Sequence, residues 1–216
     1  MKPERYARLR AVLERRQPDL TVLMERVHKS HNLSAILRNC DTVGVLEAHA
    51  VPPPEGLAVS RHASAGASKW VPVRRHPSTD SAIASLHQAG FRIVAAHPSP
   101  TAKDFREVDY TVPTALMMGA ELFGLSDRAI ELADELVSIP MMGMAKSLNV
   151  SVAAALLLFE AMSQRRKAGL YEKSRIPEEN FDALLFEWAY PRLARRYRKA
   201  GMDYPSLTGQ GVLRSR

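Results

Sequence analysis

Ile139-Pro140-Met141-Met142-Gly143-Met144-Ala145-Lys146-Ser147-Leu148-Asn149-Val150-Ser151 reads as a strand end, a glycine-containing loop and a small polar start to a strongly apolar helix. Val137 to Ile139 supplies the strand, and Asn149 to Lys167 the helix. Loops at the carboxyl ends of strands are where α/β proteins hold ligands, and the free N–H groups of a helix start attract electronegative atoms. Ser147 and Asn149 are therefore either helix caps or members of a site.

Moving outward from this stretch, strands and helices alternate. Leu20 to Met24, Leu46 to Val51, Val71 to Arg74, Phe91 to Ala95 and Thr114 to Met118 read as strands. Between them, Asn32 opens a helix that ends near Gly44, Ser60 to Ser68 suits a short helix, and Ser78 to Ala89 is amphipathic and stopped by Gly90. Ser126 caps a further helix running to Glu135. The alternation predicts an α/β fold, a mostly parallel sheet flanked by helices, over residues 19–164. A basic amphipathic helix, Pro3 to Arg16, precedes it within residues 1–18. Residues 165–216 form a basic extension, helical from Pro177 to Lys199 and ending in a tail from Gly201.

The formal net charge of +7 is carried by the two ends. Residues 1–16 hold six Lys/Arg against two acids, residues 17–164 twelve against fifteen, and residues 165–216 twelve against six. A basic fringe around a near-neutral centre suits a polyanion such as a nucleic-acid backbone, or else is a solvated helix surface. Arg8, Arg15, Arg16, Arg165, Arg166, Lys167, Arg195 and Arg196 are the candidate docking residues. Phosphate contacts of this kind orient a nucleic acid and leave selectivity to its shape and unstacked bases. The longest apolar run, Val152 to Phe159, is too short to span a membrane, and the N-terminus lacks a secretory apolar segment. One cysteine, Cys40, excludes an internal disulfide framework and fits a reducing cytoplasm, and no Cys/His spacing suits zinc, so no metal is expected.

Three polar clusters stand at strand-to-helix junctions. The first is His28-Lys29-Ser30-His31-Asn32 leading to Arg38. The second is Gly119-Ala120-Glu121-Leu122-Phe123-Gly124, which lacks the middle glycine of a dinucleotide fingerprint. The third is the opening stretch. Three short loops at strand ends form one plausible crevice.

In this order the clusters resemble the three motifs of the SpoU/TrmH family of RNA ribose methyltransferases, within the SPOUT superfamily: Asn32 with Arg38, then Gly119 to Gly124, then Ile139 to Ser151. Arg16 to Val22, Asp104 to Thr111 and Gln164 to Tyr171 are similar to the branch that methylates the 2′-hydroxyl of guanosine 18 in the tRNA D-loop. The resemblance implies a deep trefoil knot, S-adenosylmethionine as cofactor, tRNA as partner and a homodimer completing the active site at its interface. It implies cofactor contacts at Ala96, Gly119, Ile139, Met144 and Leu148, mostly through backbone atoms. It gives catalytic duties to Arg38, Asn32, Glu121, Ser147 and Asn149. Ala96 stands where the family is expected to carry Thr, and Lys146 where it is expected to carry Gln.

A guanidinium stays protonated in proteins, so Arg38 suits a phosphate clamp and alkoxide stabiliser better than a general base. No histidine is evident beside Ser147 to activate it, which favours a hydrogen-bonding role. Three other readings remain: ribose methylation of ribosomal RNA or another tRNA position, a non-catalytic RNA-binding module, and a small-molecule α/β enzyme. The last leaves the basic ends unexplained.

Overall fold

The computed structural model describes residues 1–54, 56 and 66–213, which divide into two compact units, Pro18–Leu170 and the two terminal segments together. The larger unit is a seven-stranded parallel sheet: β1 (Leu20–Glu25), β2 (Ala48–Val51), β3 (Val73–Arg75), β4 (Arg92–Ala96), β5 (Lys103–Asp104), β6 (Thr114–Met118) and β7 (Glu135–Ser138). Their order across the sheet is β3-β2-β1-β6-β4-β7-β5, every pairing parallel. β6 lies between β1 and β4, with Leu20 opposite Thr114 and Arg92 opposite the same threonine.

Period-two side chains explain why the central strands read as unbroken apolar runs. Val22 and Met24 of β1, Val94 of β4, and Leu116 and Met118 of β6 enter one core; Leu23, Ile93, Ala95, Ala115 and Met117 enter the other. The first core is covered by α2 (Ser30–Val43) and α5 (Val150–Lys167), the second by α3 (Thr79–Gln88) and α4 (Asp127–Leu132). A buried carboxylate ties the second layer to the sheet: Glu25 ends β1 and accepts hydrogen bonds from the Thr79 hydroxyl and from the Ser126 hydroxyl and amide.

The terminal unit contains α1 (Pro3–Leu13), α6 (Glu178–Ala189) and α7 (Pro191–Lys199). Phe186 is its aromatic centre, stacked on Tyr204 at 4.8 Å, tilted against Tyr190 and edge-on to Tyr197.

Several expected boundaries move. Asn32 is the third residue of α2 rather than its cap; Lys29 holds the cap position without a side-chain bond. α4 stops at Leu132, because Ala133 is extended and Asp134 accepts the Ile93 amide at 2.7 Å. The helix expected over Pro177 to Lys199 is two helices meeting at Tyr190, whose successor Pro191 starts the second. The tail is built into its unit: Tyr190 donates to the Gly211 carbonyl, and a Cβ at Gly211 would stand 2.4 Å from Tyr6. Of the short helix expected over Ser60 to Ser68, residues 60–65 lie outside the described part, and Ala67–Lys69 is a single 3-10 turn.

Candidate active site

A cavity of about 580 Å³ opens at the carboxyl ends of β4, β6 and β7. This is the edge where open parallel sheets hold ligands, and the volume falls in the usual range for a small-molecule site. Three loops wall it: 96–98 after β4, 119–124 after β6 and 139–149 after β7, with Lys29 and Asn32 from the start of α2. Met118, Val137, Val150 and Ala153 give it an apolar floor.

The 119–124 loop is shaped by its glycines. Ala120 and Gly124 exchange two backbone hydrogen bonds of 2.9 Å, folding the loop back on itself. Gly124 adopts φ +68°, which favours glycine. A Cβ on Gly119 would lie 2.2 Å from the Gly124 carbonyl carbon, so no side chain fits there.

This fold-back delivers Glu121 to the start of α2. Its carboxylate accepts from the His28 and Lys29 amides at 3.0 and 2.9 Å and from the Asn32 side-chain amide at 2.9 Å. Burial opposes the charge, yet these donors outweigh it and hold the Glu121 carboxyl below its ordinary range. Asn32, almost fully buried, uses its oxygen to accept from the Asn149 side-chain amide at 3.1 Å. Asn149 in turn caps α5, its oxygen accepting from the Ser151 amide and hydroxyl at 2.8 and 2.6 Å. The two readings of Asn149, cap and site residue, are both realised by one side chain. One polar relay, Glu121–Asn32–Asn149–Ser151, thus joins the three motifs.

The structure brings Ala96, Gly119, Ile139 and Leu148 to the cavity with Asn32, Glu121, Ser147 and Asn149. It does not bring Arg38 or Met144. Arg38 lies on the exposed face of α2, and Met144 is 99% exposed at the tip of its loop; Met141 lines the cavity instead. Lys146 does line it, as do Lys29 of the first cluster and Pro98 and Ser138, the last two unforeseen although each sits at a strand end.

Two expected docking residues are corrected. Arg165 is fully buried and donates to the carbonyls of Tyr110, Asp19 and Val112 and to the Asp19 carboxylate at 2.7 Å. Arg16 is also fully buried, its guanidinium 5.2 Å from the Trp188 ring centre. Neither offers a charge to a polyanion. Arg8, Arg15, Arg166, Lys167, Arg195 and Arg196 are exposed.

Among the described residues no group of three or more His, Cys, Asp or Glu side chains could hold a metal, and no helix is long and apolar enough to cross a membrane.

A parallel α/β sheet with three loops gathered on one polar relay around a ligand-sized cavity defines an α/β ligand-binding fold, and comparison with known proteins identifies it as a SpoU-type methyltransferase of the SPOUT class. The SpoU rRNA Methylase family matches residues 19–159, and the SpoU rRNA methylase C-terminal family residues 163–215. The chain belongs to the SpoU methylase family. It is 50% identical over 215 residues, 99% of this chain and 94% of the relative, to an Escherichia coli K12 protein named tRNA (guanosine(18)-2'-O)-methyltransferase. The crystal structure of the Aquifex aeolicus TrmH/SpoU tRNA modifying enzyme superposes with a TM-score of 0.82 at 42% identity, covering 87% of this chain and 96% of that one. The SpoU methyltransferase AviRb of Streptomyces viridochromogenes, solved with the cofactor AdoMet, gives 0.62 at 29% identity, covering 71% of this chain and 59% of that one.

Proposed function

We propose that this chain is an S-adenosylmethionine-dependent tRNA ribose 2'-O-methyltransferase acting on guanosine 18 of the D-loop, as a homodimer in the cytoplasm. The observation that carries the reading is the relay from Glu121 through Asn32 to Asn149, which holds all three motifs around one cavity. The named activity of the E. coli relative, matched over nearly the whole chain, supports the choice of target.

The cavity suits the cofactor: an apolar floor for the adenosine, and small residues, Ala96 and Gly119, where backbone atoms can approach a ligand. Ala96, Gly119, Ile139 and Leu148 would hold it, and Met141 takes the place expected of Met144. When bound, the cofactor supplies a methyl group on a sulfonium centre. The protein then has to orient the ribose and ease the loss of its hydroxyl proton.

Glu121 is a positioning residue in this scheme. Three donors occupy its carboxylate and lower its proton affinity, so it is a poor base. The Ser147 hydroxyl, exposed in the cavity wall and without a hydrogen bond among the described residues, is free to bind the substrate. Arg38 clamps a phosphate and stabilises the developing alkoxide.

Arg38 lies outside the cavity of its own chain, and a second copy resolves this. α5 leaves Val152, Leu156 and Phe159 between 39 and 47% exposed, an apolar stripe at i, i+4 and i+7 of this strongly apolar helix. A second copy would cover the stripe and bring Arg38 to the opposite cavity. The trefoil knot belongs to the same reading, as membership of the SpoU methylase family implies.

Unmodified tRNA incubated with methyl-labelled S-adenosylmethionine should acquire label at the ribose of guanosine 18. Label on a base, on another ribose or only on ribosomal RNA would overturn the target. Mixing inactive Arg38→Ala and Asn149→Ala chains should restore up to about a quarter of the activity, as random reassortment of dimers predicts. No recovery would refute the shared site.

A further inference from the structure

The terminal unit contains a cavity of its own, about 710 Å³, which the proposed methyl transfer does not use. It exists because the chain leaves α7 through Gly201, at φ +62°, and residues 202–209 then wrap past α1 and α6. The far end of this wrap is pinned: the Thr208 and Val212 backbones are hydrogen-bonded at 2.8 Å, and the Gly211 amide donates to the Thr208 carbonyl at 2.8 Å.

We propose that this cavity receives one unstacked guanine base of the RNA. Tyr204 is the platform. It lines the cavity, while Phe186, stacked behind it at 4.8 Å and 23°, does not. The Tyr204 hydroxyl donates to Glu187 at 2.7 Å, and Arg198 donates to the same carboxylate oxygen at 2.6 Å, so the ring is held before any ligand arrives. A base laid on Tyr204 extends an existing aromatic stack, the usual way proteins hold unpaired bases.

The charges in the cavity choose the base. Its two arginines already have partners outside the lining, Arg10 with Glu14 at 3.0 Å and Arg198 with Glu187. Three lining carboxylates, Glu179, Asp182 and Asp203, have no hydrogen bond or ion pair among the described residues. Unpaired carboxylates repel a phosphate and seek donors. Guanine presents two adjacent donors on its pairing edge, N1–H and N2–H, which the carboxylate of Asp182 or of Asp203 can accept together, Glu179 being held in the first turn of α6. The other bases offer no such adjacent pair. The inference rests on RNA being the substrate, as proposed above, and identifies how the terminal unit reads it.

Binding of guanosine, adenosine, cytidine and uridine 5′-monophosphates to the full chain, followed by ligand-observed NMR, should favour the guanine nucleotide by about tenfold or more, the scale of one good bidentate contact. The double variant Asp182→Asn with Asp203→Asn should lose that preference while its thermal midpoint and S-adenosylmethionine binding stay unchanged. Its affinity for tRNA should fall. A purely electrostatic surface predicts the opposite sign, because removing two acids from a basic protein tightens binding to a polyanion. Equal binding of the four nucleotides, a guanine preference that survives the double variant, or tighter tRNA binding by that variant would each overturn the proposal. The nucleotide measurement needs no turnover. Guanine selectivity lost in the double variant, without tRNA methylation, would support the pocket and refute the tRNA reading; methylation without selectivity would do the reverse.

Discussion

In the sheet unit, the charged groups that matter most are turned inward and fully engaged: Glu25 between two helix starts, Glu121 at the mouth of α2, and Arg165 against three carbonyls and Asp19. In the terminal unit, Arg8, Arg15, Arg195 and Arg196 lie in solvent. The run Arg165-Arg166-Lys167 contains both behaviours in three residues, because Arg165 alone falls on the face of α5 that meets the sheet. Buried charges with every donor matched position backbone. Exposed ones supply long-range attraction and little stability.

Arg165→Met tests the inward kind most severely. It takes the guanidinium away from the Asp19 carboxylate and from the carbonyls of Tyr110 and Val112, and should cost about 3–5 kcal/mol in urea unfolding, the scale for breaking a buried pair. A loss under 1 kcal/mol would erase the distinction between the two regions.

A second inward pair is neutral. His49 and His76 stack in the interior, Nδ1 to Nε2 at 2.9 Å, and burial, with His76 and Arg74 nearby, pushes His49 down to about 4. Burial lowers His76 as well. The unfolded chain binds the proton first, so stability should fall as pH drops from 6.5 towards 4, by on the order of 3 kcal/mol for His49 alone. His49→Gln should flatten that slope; an unchanged pH profile would mean that His49 binds its proton equally well in the folded and unfolded chain.

Glu121→Gln, which keeps the shape and removes the charge, should lower turnover by about 10–100-fold, since it weakens three donors to the α2 start rather than removing a base. Because the folded carboxyl is held below its ordinary value, its stabilisation is present above that value and is lost as pH falls through the folded one. The variant's stability deficit should accordingly vanish at acid pH, and a deficit independent of pH would assign the effect to shape. The mildest change is Arg195→Gln with Arg196→Gln. Stability should stay within about 0.5 kcal/mol, while the salt dependence of RNA binding becomes shallower. An unaltered salt slope would remove these residues from the docking surface.

The opening stretch shows how far local reading reaches. Its strand, loop and helix start are legible because strand and helix periods and cap chemistry act over a few residues, and the capping role of Asn149 follows from the same chemistry. Its bond to Asn32 spans 117 positions and depends on which helices lie side by side. Asn32 was expected to be a cap for the same local reason, yet its side chain serves a longer-range relay, and Glu121 supplies the bonds to the His28 and Lys29 amides. The basic ends were legible as charge; that Arg16 and Arg165 are spent inside the protein was not, since burial is a property of neighbours.

From the sequence by itself come the α/β class, the six longer strands, the three motif loops and the positive charge of both ends, all of which follow from patterns within a few residues or from counting. The tertiary structure alone decided that one carboxylate and two asparagines would join those loops, that Arg38 would stand away from its own cavity, and that two arginines would become structural. Each of these depends on contacts between segments far apart in the chain, and no local pattern encodes them.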